Sequence, residues 1–318
     1  MKTVKQISII LLLIAFFAAF DLAIYNVFTK HFIKDTSPEM QAKSVELSKY
    51  LPFDENSEIV KLDSSLKLES DLPVIDGAAA LFPVFSAFVN SVYPSDSVFF
   101  DGENFTPESA LHYTNTRGAY QAVVDGGADI VFCAKPSAEQ LEYAAENGVE
   151  LELVPIGREA FVFIVNSSNP VDNLTVEQVR GIYSGEYKNW SQVGGENRAI
   201  DALQRNAGSG SQTAMLSFMG DREMKRDLFG ALTGSAIGFS FRYYVEGIVE
   251  NSGVKMLSLS GVYPSKENVS NGSYPIVSDF YAVYRKDNQN PNVPILIEWI
   301  LSEEGQRIVE ESGYSSVK

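Results

Sequence analysis

Residues 116–157 read TRGAYQAVVDGGADIVFCAKPSAEQLEYAAENGVELELVPIG, and this stretch decides the fold class. TRGAYQAVVDGG (116–127) is expected to be a helix that Thr116 can cap, and ADIVFCA (128–134) a buried strand. PSAEQLEYAAENG (136–148) predicts a second helix, stopped by Gly148, and VELELVPIG (149–157) alternates as a strand. Strands separated by helices of about ten residues indicate an α/β protein with mostly parallel sheets.

The same theme extends outward in both directions. Upstream, LPVIDG (72–77) is a strand, ALFPVFSAFVNSVYP (80–94) a helix with a large apolar face, SVFFDG (97–102) a strand and TPESALHYT (106–114) a helix start with Thr106 as cap. Downstream, EAFVFIVN (159–166) suits a central strand, and LTVEQVRGIYSG (174–185) is a helix opened by a Thr175…Gln178 capping box. AIDALQRN is extended, SQTAMLSFMG (211–220) is helical, and 235–249 holds a short strand and a further helix. VKMLSLSG (254–261) and VSDFYAVYRKD (277–287) are strands, and 293–313 reads as two consecutive helices sharing an apolar face.

The N-terminal end differs in character. Behind Lys2 and Lys5, an apolar run from Ile7 to Phe28 is interrupted by Asp21. It fits an uncleaved membrane anchor whose remaining chain lies outside the cell, or a signal segment cleaved near 18–23, which would leave a secreted or periplasmic protein. Residues 35–71 are mixed polar and charged and read as a spacer carrying one short helix around 38–49.

Composition excludes several classes. The 318 residues are 45% hydrophobic and 12% aromatic, with net charge −16; the first 34 carry +3, so the remainder carries −19, which argues against a nucleic-acid surface. One cysteine, Cys133, and two histidines leave no internal disulfide and no Cys- or His-rich metal centre. Cys133 reads as a small buried hydrophobe. No cofactor is expected.

Three segments, DGAAALFPVF, TNTRGAYQAV and NAGSGSQTAM, each lead from an extended stretch through small residues into the first turn of a helix. The free N–H groups and positive dipole end of such a turn attract anions. In QRNAGSGSQT (204–213), Gly208 and Gly210 allow close backbone approach, Ser209 and Ser211 supply hydroxyls, and Arg205 can grip an oxyanion. Gln212 stands where a nucleotide-binding loop needs lysine, and Ser209 lacks the nucleophile-elbow frame. Asp129 is either a simple cap at the start of its strand or a proton acceptor. A carboxylate beside an anion tolerates monohydrogen phosphate, which donates a proton, and rejects sulfate, which has none at neutral pH.

From about residue 72 to the C-terminus the chain resembles the periplasmic phosphate-binding proteins, the substrate-binding subunits of phosphate ABC importers. The resemblance is carried by VIDGAAALFPVFSAF, NTRGAYQAVVDGGADIVFCAKP, NPVDNLTVEQVRGIYSGEYKNWSQVGG, RNAGSGSQTAMLSF, GSYPIVSDFYAVYRK and EEGQRIVEESGY. It implies a periplasmic-binding-protein-like clamshell of two α/β lobes, each a mostly parallel sheet flanked by helices, joined by two crossing strands near 155–161 and 254–277. Lobe 1 would comprise 72–157 with 277–318, and lobe 2 158–276, behind the anchor or signal segment 1–34 and the spacer 35–71. The implied ligand contacts are Ala80 and Leu81 in the first loop, Thr116 in the second, Asp129 as proton acceptor, Arg205, and Ser209, Gly210 and Ser211. Three features depart from the family: Ala80 lacks the usual hydroxyl, VFCA (131–134) replaces GASD, and Arg117 and Ala119 sit where small residues are common.

The implied function is capture of inorganic phosphate for an ABC permease, without catalysis, by a monomeric body. A membrane-tethered sensor or interaction module for another oxyanion or small metabolite is the alternative.

Overall fold

The computed structural model describes residues 45–225, 235–248 and 253–317. All of them lie in the unit 40–318. The expectation of a transmembrane or signal anchor, and of a membrane-tethered location, is corrected: among the described residues no helix is long and apolar enough to cross a membrane. The run from Ile7 to Phe28 on which that expectation rested lies outside the described residues.

The architecture is a two-lobed α/β clamshell built on one sheet of order β1-β2-β9-β3-β6-β5, with β7 also pairing with β3. The strands are β1 (Ile75–Gly77), β2 (Ile130–Ala134), β3 (Leu151–Asn166), β5 (Ile200–Ala202), β6 (Ser235–Phe241), β7 (Val254–Met256) and β9 (Val277–Arg285); β4 (Asn173–Leu174) and β8 (Ser258–Leu259) form a separate pair. The two stretches read from sequence as separate strands, 149–157 and 159–166, are the single strand β3. Its 16 residues, at about 3.3 Å each, reach about 50 Å, enough to serve both lobes.

Parallel pairing holds at the ends of the sheet, between β1 and β2 and between β5 and β6. Its middle is antiparallel, because β3 and β9 run past each other in opposite directions from Leu151↔Arg285 to Ala160↔Val277. β2 then adds to β9, and β6 and β7 to β3, also antiparallel.

Alternation along β2 places its side chains in two layers. Ile130 and Phe132 join the cluster around Phe82, Phe85, Phe88 and Trp299, while Val131 and Cys133 join Ala119, Tyr120 and Val123 on the opposite face. A strand covered on both faces reads as an unbroken apolar run. Helices α1 (Phe82–Val92), α7 (Asn292–Ile300) and α8 (Glu303–Glu311) cover the first face, and α2 (Asn115–Asp125) and α3 (Ala138–Glu146) the second. A third cluster gathers Phe161, Phe163, Tyr183, Trp190 and Phe239 with helices α4 (Val176–Tyr183) and α5 (Gly210–Met219); the five-residue α6 (Lys266–Ser270) lies nearby. The Thr175…Gln178 capping box forms as read.

Several local expectations give way. Residues 97–113 form no helix and no regular strand; Phe100 bridges Phe105 and Thr106 N–H donates to the Phe99 carbonyl. Residues 45–71, read as a spacer, bury Val45, Tyr50, Ile59 and Leu68 in the cluster around Phe82. Their apolar residues lie too far apart to show a helix or strand period, although each finds a place in the core.

Candidate functional site

Helix α5 begins at Gly210, after Ser209 in an extended N-cap conformation (φ −75°, ψ 143°) whose hydroxyl accepts from the Gln212 amide at 3.2 Å. Gln212 folds back so that its side-chain oxygen accepts the Arg205 amide at 2.9 Å, closing the 205–212 turn. The residue that excludes a nucleotide loop is thus a structural tie. Arg205 is partly buried, and its Nε is enclosed with no hydrogen-bond partner among the described residues. Burial lowers its pKa, while the nearby Tyr244 pulls the other way.

Helix α2 comes to the same place from the other lobe. It starts at Asn115, so Thr116 lies in its first turn and Thr114 is at the N-cap position, making no capping hydrogen bond with its side chain. The expectation that Thr116 caps the helix is corrected: the Thr114 hydroxyl donates to Asp76 instead, which leaves Thr116 to point its side chain from the first turn. A Cβ at Gly210 would lie 3.3 Å from the Ala134 Cβ and 3.5 Å from the Thr116 hydroxyl, so the two elements approach closely here and an added side chain would need Ala134 to give by a few tenths of an ångström. Arg117 packs over Gly208, with 3.9 Å between its side-chain carbons and a Cβ built there. Gln140, in the capping box that opens α3, donates to the Gly208 carbonyl at 3.2 Å. The N-termini of α2 and α5 therefore meet, with Thr116 against Gly210 and the Arg117 stem against Gly208, in the loop that Arg205 and Gln212 close.

The first loop is a 3-10 turn, Ala79–Leu81, leading into α1. The Leu81 amide donates to Ala78 at 3.0 Å, and the Ala80 carbonyl accepts from the Tyr314 hydroxyl. Ser211 follows Gly210 in the first turn of α5 and is partly buried.

Asp129 is not brought to this group. It precedes β2, and its carboxylate accepts from the Val74 amide at 2.8 Å and the Asn288 side chain at 2.9 Å, with Asn290 at 3.4 Å. Ala134, at the other end of β2, meets Gly210; five residue steps along the strand separate it from Asp129, about 16 Å. The simple-cap reading fits this placement and the proton-acceptor reading does not.

Sequence reasoning passed over Asp76. It lies in β1, is 2% exposed, and accepts from the Gly77 amide at 2.7 Å, the Thr114 amide at 2.8 Å and the Thr114 hydroxyl at 2.5 Å. Burial raises its pKa, against the pull of those donors and of His112. The available signal was an acid interrupting the apolar strand LPVIDG just before small residues. Its carboxylate ties the end of β1 to the start of α2 and so fixes two of the three loops relative to each other. Cys133 is free and fully buried, and burial pushes its thiol pKa up. The group of side chains can hold and orient an anion, and contains no nucleophile paired with a base.

A family model described as a PBP superfamily domain matches residues 74–304. The phosphate-binding protein PstS of Borreliella burgdorferi is 26% identical over 199 residues, 57% of this chain and 69% of the relative. Protein SphX of Synechococcus elongatus is 24% identical over 269 residues, 76% of this chain and 77% of its own. Among solved structures, a Clostridium perfringens protein assigned as a phosphate ABC transporter substrate-binding protein, with bound phosphate, superposes with TM-score 0.58 at 26% identity, covering 77% of this chain and 98% of that one. An ABC-type phosphate transport receptor from Vibrio cholerae shares the fold, with TM-score 0.53 at 21% identity over 76% of this chain and 98% of its own.

Proposed function

The chain belongs to the PBP superfamily, on the branch shared with phosphate ABC transporter substrate-binding proteins, a group of solute-binding transport proteins and not of enzymes; from that premise we propose that it captures inorganic phosphate between its two lobes for delivery to an ABC permease. The observation that supports this reading is the meeting of the α2 and α5 N-termini, with Arg205 in the loop that leads into α5. Thr116, Arg205, Ser209, Gly210 and Ser211 would grip the oxyanion, with Ala80 and Leu81 contributing from the first loop. Lobe 1 is assigned residues 72–157 and 277–318, and lobe 2 residues 158–276. Closure around one shared anion would present the permease with a surface that the open form lacks.

Titration calorimetry of the full chain with inorganic phosphate tests this. Loss of Arg205 removes a charged hydrogen-bond partner, so Arg205→Ala is expected to weaken phosphate binding by about tenfold or more. Unchanged affinity would remove Arg205 from the site.

A further inference from the structure

The last described residues do more than close lobe 1. Tyr314 is 1% exposed, its ring lies 4.6 Å from that of Tyr243 and 5.1 Å from that of Phe280, and its hydroxyl donates to the Ala80 carbonyl in the first loop. The next residue, Ser315, exchanges both backbone hydrogen bonds with Arg158 on β3, at 2.7 and 3.0 Å. The Arg158 side chain adds two bonds to the Ser316 carbonyl, from Nε at 3.1 Å and Nη2 at 2.9 Å. The Gly313 carbonyl accepts from Arg242, just after β6, and the Ser315 hydroxyl lies 2.9 Å from that of Ser270 in α6. Gly313 is required where it stands: its φ is +97°, and a Cβ there would lie 3.1 Å from the Tyr243 ring.

Four consecutive residues thus touch the crossing strand at Arg158, the second lobe at Arg242 and Ser270, and the first loop at Ala80. We infer that Gly313–Ser316 is a strap that orients the first loop according to the position of the hinge, with Tyr314 as the positioning residue for ligand capture. Movement of Arg242 or Ser270 relative to Arg158 displaces the strap, and the Tyr314 hydroxyl carries that displacement to the 79–81 turn. The capture role rests on the phosphate reading above; the mechanical link to the first loop does not.

Tyr314→Phe removes only the hydroxyl. Tyr274→Phe is the matched control, because Tyr274 is a buried tyrosine whose hydroxyl donates to the Phe161 carbonyl at 3.1 Å in the second lobe. Hydrogen exchange of the ligand-free proteins is read at the Leu81 and Phe82 amides, together with phosphate titration. A strap predicts that Tyr314→Phe speeds exchange there by about three- to tenfold and weakens phosphate binding by a similar factor, the scale of one lost hydrogen bond. Tyr274→Phe is expected to leave both unchanged. If Tyr314→Phe matches Tyr274→Phe in exchange at the first loop, the strap is wrong. If exchange responds and affinity does not, the capture role of Tyr314 is wrong. If the wild-type chain takes up no phosphate, the functional reading fails by itself and exchange still decides the strap. Should Tyr314→Phe yield no folded protein, Arg158→Gln loosens the strap from its other end and is judged by the same two readings.

Discussion

At the scale of the residue, Arg205 and Asp129 make the sharpest contrast. Both were candidate ligands by sequence, yet Arg205 lies with a buried Nε in the loop that leads into α5, while the carboxylate is spent on Val74 and Asn288 at the far end of β2. Asp129→Asn is therefore expected to leave phosphate affinity within about twofold of wild type while lowering the denaturation midpoint, since only local hydrogen bonds of about 1 kcal/mol each are disturbed. A large loss of phosphate affinity with unchanged stability would return Asp129 to the site. The misplacement has a physical origin. In a short buried strand, a carboxylate at one end and a small residue at the other look equally close to a loop in the sequence, and only the direction of the strand separates them.

At the scale of the element, the sequence was most legible where a helix announces its own ends. The Thr175…Gln178 box and the Gly148 stop are local hydrogen-bonding events, written in adjacent residues, and the helix read from Ser211 starts one residue earlier, at Gly210. Less legible were elements defined by distant partners. Residues 97–113 had strand and helix composition and became turns, and 45–71 looked like a spacer and became part of the core. That segment is held at one end by Glu304, which accepts from the Ser64 hydroxyl at 2.9 Å, the Ser65 amide at 3.1 Å and the Trp299 indole at 2.9 Å. These donors, the Trp299 indole foremost, hold the Glu304 carboxyl pKa down at about 2, against an ordinary 4.5. A depressed acid stabilises the fold above its unfolded pKa, and the contribution is lost as pH falls from about 4.5 toward about 2. Trp299 fluorescence is expected to report release of the segment across that window, and Glu304→Gln, which cannot titrate, to flatten the change. An identical acid profile in the variant would deny Glu304 this role.

At the scale of the molecule, β3 and β9 run antiparallel through the middle of the sheet, and a buried ion pair stands where they pass. Arg242 Nε lies 3.2 Å from Glu159 on β3, and the guanidinium also bonds Glu246 and the Gly313 carbonyl. Burial pushes the Glu159 carboxyl up to about 7, against the pull of Arg242 and of the Ala160 and Tyr243 amides. The native chain then binds a proton more tightly at Glu159 than the unfolded chain does, so this residue's contribution to stability declines as pH rises from about 4.5 to about 7. Glu159→Gln is expected to flatten that decline, read as denaturation midpoints across the same range; an unchanged slope would contradict it. The α/β class was legible from alternating strands and helices, and the two-lobed plan from the family resemblance alone. The antiparallel centre of the sheet was not, because it depends on β3 and β9 meeting from opposite ends of the chain.

The central claim is that the meeting of α2 and α5, with Arg205 from the loop before α5, holds phosphate. Calorimetric titration of the full chain with inorganic phosphate at neutral pH tests it most directly. One-to-one binding at about micromolar affinity or tighter, about −8 kcal/mol, is the predicted result. The absence of phosphate binding would contradict it.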